Sequence, residues 1–524
     1  MEDQVSKLSH QARRSVEQRD WNKVSIFAAR ILQLDNNNAE GQFLQGLAFK
    51  ISNEPVKASV AFERSLAVDP RRYDSAIELA NQYSVMRRNK EAAELLDRYI
   101  DQLDNSPLYL DLAGSVYSDI GLPEKALPLY KKATELQPAV DLFQANLATC
   151  SVFMGEIPTA ERIYKNLLQK NPAHRRNHYQ LSRLTRVKDE THLEQMKQLA
   201  AASENQPAAN IFLYYAMAKE LEDLGQWDES FRYYKLAGDT VTSIAKYNID
   251  EDLEIIDTII DTCSSEWLAD TNTRLEPAAK NPIFIVGLPR TGTTLTERII
   301  SSHSNVESIG ETLFVQMLLR QLSGVQSVEN MNSEMIRALK GRDISTLGQQ
   351  YLDAVGYRLH QQTNFVDKFP MNFLYLGFIA KALPNAKFVH LQRNPLDACF
   401  AMYKQIFTWA YKFSYSLENL GTYYVAYQKL LAHWRTVLGD RFIEVGYEDL
   451  VSEPEQQTRQ LLEQLGLEFE PECLDFANNP APSTTASSVQ VRAKVHTGSI
   501  NKWQRYEKHL VPLKQKLLDS GISL

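Results

Sequence analysis

Asn281-Pro282-Ile283-Phe284-Ile285-Val286-Gly287-Leu288-Pro289-Arg290-Thr291-Gly292-Thr293-Thr294-Leu295 is the stretch on which the fold turns. Its opening run is short, apolar and rich in branched residues, which predicts a strand buried on both faces. A glycine-bounded loop follows, and then a helical pattern with Leu295, Ile299 and Ile300 on one face. Strand, loop and helix in that order make an anion cradle, because loop amides and a helix N-terminus converge on one point.

The spacing is close to the P-loop pattern G-x-x-x-x-G-K-[ST], but Thr293 stands where the lysine belongs. A nucleoside triphosphatase needs that lysine on its β- and γ-phosphates. Here the cation, Arg290, lies inside the loop and two hydroxyls follow the second glycine. The run Pro289-Arg290-Thr291-Gly292-Thr293-Thr294-Leu295 resembles the 5′-phosphosulfate loop of sulfotransferases, and with Gly310-Glu311-Thr312 further on it is most similar to the protein-tyrosine sulfotransferase branch. The resemblance implies a donor, 3′-phosphoadenosine 5′-phosphosulfate (PAPS), its product PAP, and no metal.

The rest of the catalytic half follows from that resemblance. Glu311 matches the family's general base, a role that a carboxylate beside a cationic site can perform. On position alone it would cap a helix starting at Leu313. His303, near the end of the loop helix, reads as structural. Lys368 follows a short strand at Asn364-Phe365-Val366-Asp367 and matches a lysine that meets the sulfonate. Arg393 crests the strand Lys387–Gln392, with Pro395 at an early helical position, and resembles the arginine that clamps the 3′-phosphate. The family's serine and the animal enzymes' arginine after it are Ala401 and Gln405 here. A strand from Arg441 to Gly446 leads to Tyr447, near the adenine by resemblance or else a core residue. The polar run Ser483–Trp503 aligns with a covering segment that brings Ser487 and Lys502 to the phosphosulfate. The cofactor set is then Arg290, Thr291, Gly292, Thr293, Thr294, Arg393 and Tyr447. The catalytic set is Glu311, Arg290, Lys368, Lys502 and Ser487.

The first half is periodic. Gly46, Ala80, Gly114 and Ala148 recur every 34 residues, as do Ala58, Ala92, Ala126 and Ala160, each followed four later by Phe62, Leu96, Tyr130 or Tyr164. Pro70, Pro138 and Pro172 close units, with Asp104 in that place once. This register resembles the tetratricopeptide repeat. A degenerate unit with Trp21 precedes it, and the register returns out of step around residues 211–244, predicting about six or seven stacked units. The concave face of such a stack offers a peptide groove, and a plain scaffold or dimerisation role is equally open.

At 524 residues, 44% hydrophobic and 23% charged, the composition is that of a globular protein of several units. A net charge of −8 predicts no nucleic-acid partner. The four cysteines are too far apart for a metal site or a disulfide scaffold. No apolar run could span a bilayer, and the polar Met1-Glu2-Asp3-Gln4 start predicts no signal peptide, so a cytoplasmic bacterial protein is expected.

The expected architecture is an α-helical repeat solenoid at 1–247, a helical linker at 248–280 and a three-layer α/β, P-loop-like sulfotransferase domain with a parallel sheet at 281–524. The expected reaction is in-line sulfuryl transfer from PAPS to a hydroxyl on a protein tyrosine, a glycan or a small molecule. Two alternatives stay open on the residues. One is a small-molecule kinase. The other is a non-catalytic, peptide-binding repeat scaffold with a vestigial nucleotide site, for which Ala401 and Gln405 are the motive.

Overall fold

The computed structural model describes residues 2–103, 105–269, 280–326, 331–407, 410–492 and 497–524. Asp104 and the polar boundary stretch 270–279 lie outside them, as do residues 493–496 of the covering segment. The chain forms two compact units, Met1–Met154 and Gly155–Leu524.

The first unit is antiparallel helix pairs: Glu2–Glu17 with Trp21–Leu34, Ala39–Ile51 with Pro55–Val68, Tyr73–Val85 with Asn89–Tyr99, and Pro107–Asp119 with Pro123–Leu136. The 34-residue period has a direct packing cause. A Cβ on Gly46 would lie 2.5 Å from the Phe62 ring, and one on Gly114 would lie 2.9 Å from the Tyr130 ring. The small residue of one helix is the seat for the aromatic of its partner, so the two recur together.

The repeat pattern continues past the end of this unit. Helices Ile157–Lys170, Arg175–Ser182, Thr191–Ala201, Ile211–Asp223 and Trp227–Ala245 belong to the second unit. Leu213, Tyr215, Phe231 and Tyr234 share one core with Phe400, Tyr403 and Trp434 of the catalytic half. The Tyr506 hydroxyl meets Ser230 Oγ at 3.0 Å. The 1–247, 248–280 and 281–524 division is thus one of motif, whereas compactness divides at 154/155.

Five strands, β1 (Asn281–Gly287), β2 (Val306–Ser308), β3 (Asn364–Asp367), β4 (Lys387–Gln392) and β5 (Phe442–Gly446), form a sheet in the order β2-β3-β1-β4-β5. Every pairing is parallel. Side chains alternate across it, as a two-residue period requires. Ile283 and Ile285 face a core with Ile299, Val389, Ile443 and Leu462. Phe284 and Val286 face the opposite core with Phe388, Leu430 and Trp434. Helices therefore cover both faces, giving three layers. β5 begins at Phe442, one residue later than the sequence predicts, because Arg441 ends a short 3₁₀ turn and donates to three carbonyls.

The helix after Glu311 begins at Phe314, with Leu313 as its N-cap and no side-chain cap. All four cysteines are buried, and none of them is in a disulfide. Among the described residues no helix is long and apolar enough to cross a membrane.

Candidate active site

β1 is central, and the loop leaving it sits where the strand order reverses, the usual ligand crevice of an open parallel sheet. The loop is tightly wound. Arg290 has φ 73°, Gly292 has φ 108°, and Thr291 Oγ1 donates to the Leu288 carbonyl at 2.7 Å. Thr293 and Thr294 open the helix Thr293–Ser301, whose first amides have no helical acceptor and point at the crevice.

Gly292 is required on two counts. Its φ is one that side chains rarely adopt, and a Cβ there would come within 2.5 Å of the Tyr447 ring. Gly292→Ala should lower stability by about 1–2 kcal/mol, read as a drop in Tm, and displace Tyr447 from the loop.

The covering segment closes on this loop. Arg290 donates to Ser487 Oγ and, at 2.6 Å, to Gln490 Oε1. Thr294 and Thr485 hydroxyls meet at 3.3 Å. Arg393, just past β4, donates to the Arg290 carbonyl at 2.9 Å and the Ser499 carbonyl at 2.7 Å. Its guanidinium lies 4.7 Å from the centre of the Tyr447 ring, and the Tyr447 hydroxyl meets Ser499 Oγ at 2.6 Å. Asp397 anchors the far end by accepting from the amides of Asn501 (2.7 Å) and Trp503 (3.0 Å).

Charge is unbalanced here. Burial, together with Arg183 and Arg393, holds the Arg290 guanidinium below its ordinary pKa. Lys502 is likewise lowered by burial and by Lys404, Arg505 and Arg393, against the pull of Glu222. The buried Arg393 Nε has no hydrogen-bond partner among the described residues. A cavity of about 580 Å³ opens beside Thr291 and Arg393, with Tyr424, Tyr427 and Glu448 on its walls. Such a concentration of cations and free donors fits a multiply charged anion.

A second cluster stands at the end of the neighbouring strand. Lys368, the residue after β3, is fully buried, with its Nζ 2.5 Å from Glu311 Oε1 and 3.6 Å from Glu297 Oε2. Burial opposes its charge, but the two carboxylates outweigh that and raise its pKa. Glu311 keeps 36% of its side-chain surface in solvent, so it can meet an incoming molecule. It pairs with Lys368 instead of capping the next helix. The backbone holds the pair in place. Lys368 N donates to Gly310 O at 3.0 Å, Gly310 N to Ser308 Oγ at 3.0 Å, and Ser308 Oγ to Glu297 at 2.7 Å. Behind it, Thr312 and Tyr351 each donate to Asp367 at 2.7 Å, and burial pushes that carboxyl up to about 7.

Every candidate residue from the sequence therefore falls at the C-terminal edge of the sheet or on the segment that covers it. Arg290, Thr294, Ser487, Arg393 and Tyr447 are joined by direct contacts or through one intervening residue, and Glu311 and Lys368 form a separate pair. Lys502 faces Glu222 and Lys404 as well as Arg393. His303 is buried, with Nε2 on the Glu468 carbonyl and Nδ1 accepting from Asn305 N, which is a structural setting. Sequence reasoning passed over Glu297, Asp397, Gln490 and Ser499. Glu297 alone carried a local signal, since it lies one helical turn beyond Thr293.

The Sulfotransferase family model matches residues 282–471. The chain is 28% identical over 458 residues to an uncharacterized protein of Aquifex aeolicus, covering 85% of this chain and 59% of that one. It is 24% identical over 250 residues to a protein-tyrosine sulfotransferase of Drosophila melanogaster, covering 45% of this chain and 50% of that one. The chain thus spans between half and three-fifths of the length of these relatives. Among solved structures, the sulfotransferase domain from the curacin biosynthetic pathway is similar over 48% of this chain and 100% of its own, at 18% identity and a TM-score of 0.34. The Pseudomonas aeruginosa protein pilF is similar over 43% of this chain and 98% of its own, at 15% identity and a TM-score of 0.34. Helix pairs repeating every 34 residues thus precede an all-parallel five-stranded sheet, and the sulfotransferase likeness falls on residues 282–471, the region that holds that sheet.

Proposed function

We propose that this protein transfers a sulfuryl group from PAPS to an acceptor hydroxyl by in-line displacement. The observation that carries the reading is the cation-rich crevice at the β1 loop with an exposed carboxylate, Glu311, on the neighbouring strand end. Arg290 and the amides of Thr291, Gly292, Thr293 and Thr294 hold the 5′-phosphosulfate, and Arg393 holds the 3′-phosphate, with Tyr447 beside it. The acceptor oxygen attacks sulfur, its proton passes to Glu311, and the bond from sulfur to the 5′-phosphate oxygen breaks to release PAP. Lys368, with Ser487 and Lys502, meets the charge that develops on that oxygen. Once Lys368 turns to the donor, Glu311 is released to act as the base.

The acceptor follows from likeness alone. Similarity to protein-tyrosine sulfotransferases favours a tyrosine on a protein, and the repeat array offers a groove for the peptide around it. Leu313, exposed beside Glu311, replaces the arginine of the animal enzymes and argues against a preference for acidic peptides. The test is transfer of labelled sulfate from PAPS into protein, glycan and small-phenol fractions, resolved by mass, together with calorimetry of PAP. Labelled product and PAP binding are expected. A chain that neither binds PAP nor transfers label refutes the reading.

A further inference from the structure

Beside the two guanidiniums already described, a third reaches the segment that covers the β1 loop. The third, Arg183, comes from the repeat region, immediately after the helix Arg175–Ser182. It donates to the Ala486 carbonyl at 3.1 Å and lies 5.2 Å from the centre of the Tyr179 ring. Gln405 fixes that ring by donating to the Tyr179 hydroxyl at 3.1 Å. Ala486 adjoins Ser487, the residue that receives Arg290, so two adjacent residues of the covering segment take up two guanidiniums.

Among the described residues, the hydrogen-bond and ring partners of these three guanidiniums are all neutral. Arg290 has a hydroxyl and an amide oxygen, Arg393 has two carbonyls, and Arg183 has a carbonyl and a ring. Like charges gathered in a partly buried place without carboxylates repel one another, and an anion between them removes that penalty. With the donor placed as proposed above, Arg183 and Arg290 stand on its 5′ side, because they bind adjacent residues of the segment that covers the β1 loop, whereas Arg393 rises from the next strand.

We infer that Arg183 is a donor-binding residue, which together with Arg290 holds the 5′-phosphate of the nucleotide, so that a repeat helix supplies part of the donor site. This rests on the sulfotransferase reading and extends it to a residue upstream of the family match. The depression of the Arg290 pKa by Arg183 agrees with their closeness. The repeats are then structural partners of the donor and not only of an acceptor.

The test compares two nucleotides on the full chain by calorimetry: PAP, which has both phosphates, and adenosine 3′-phosphate, which lacks the 5′ one. Arg183→Ala should weaken PAP binding about tenfold or more, the loss expected for one charge-assisted hydrogen bond, and shift adenosine 3′-phosphate less than about twofold. Unchanged PAP affinity overturns the inference. Equal losses on both nucleotides also overturn it, since the residue then acts through the fold. If Arg183→Ala does not fold, Arg183→Gln keeps a donor for Ala486 without the charge and is judged by the same comparison. Parent protein that binds neither nucleotide refutes the sulfotransferase reading itself, and this inference with it, before any variant is made.

Discussion

Glu311→Gln is expected to cut sulfuryl-transfer turnover by about 10²–10⁴-fold while leaving the affinity for PAP within about twofold. Glutamine preserves the shape of the side chain and an oxygen for Lys368 Nζ, now 2.5 Å away, but cannot accept the acceptor's proton. Lys368 keeps Glu297 as a charged partner, so the variant should fold normally. Turnover by labelled-sulfate transfer and affinity by calorimetry separate the two effects. A variant that turns over like the parent removes Glu311 from its role as base.

The second large effect concerns the cation between the carboxylates. Lys368→Met leaves Glu311 and Glu297 facing a site that has lost its positive charge, and Lys368 itself is wholly buried. Glu311 can still turn to solvent, so the cost falls chiefly on the more buried Glu297 and stays below the full buried-pair value of about 3–5 kcal/mol; a fall in Tm should accompany a loss of turnover of about 10²-fold or more. The pH dependence has a definite sign. The folded pKa of Lys368 is raised above its ordinary 10.5, so its stabilising contribution is complete below the unfolded value and fades only as pH rises through the higher folded one. The stability deficit of Lys368→Met should therefore be flat between about pH 6 and 9 and shrink only in strong alkali. Adding Glu297→Gln should restore part of the stability without restoring turnover. If Lys368→Met melts with the parent, the buried pair does not hold this part of the fold.

Much of this arrangement was legible from local pattern. The branched run Pro282–Val286 could only be a strand with two covered faces, and a glycine-bounded turn into a helix follows from its own residue types. Arg393 and Lys368 could be placed because each ends a short apolar run, and strand ends gather on one edge of a parallel sheet. The partners were not legible. Glu297 and Glu311 converge on Lys368 only after three separate strands are aligned. Arg183 reaches Ala486 across some three hundred positions of sequence, a distance at which no periodicity operates. The helix begins at Phe314, one residue past the expected Leu313, and the ion pair that takes Glu311 away from that helix end is invisible in sequence. The repeat period also runs smoothly through position 154, where the compact unit ends, since period reports how neighbouring helices seat one another and not which core they finally join.

That last feature bears on how such a protein could have been assembled, or be dismantled. A cassette cut at the start of the matched region would leave behind Tyr215, Phe231 and Tyr234, stripping the packing from Phe400 and Tyr403 and baring a greasy scar. The compact unit that keeps this packing whole begins at Gly155, well before the matched region does.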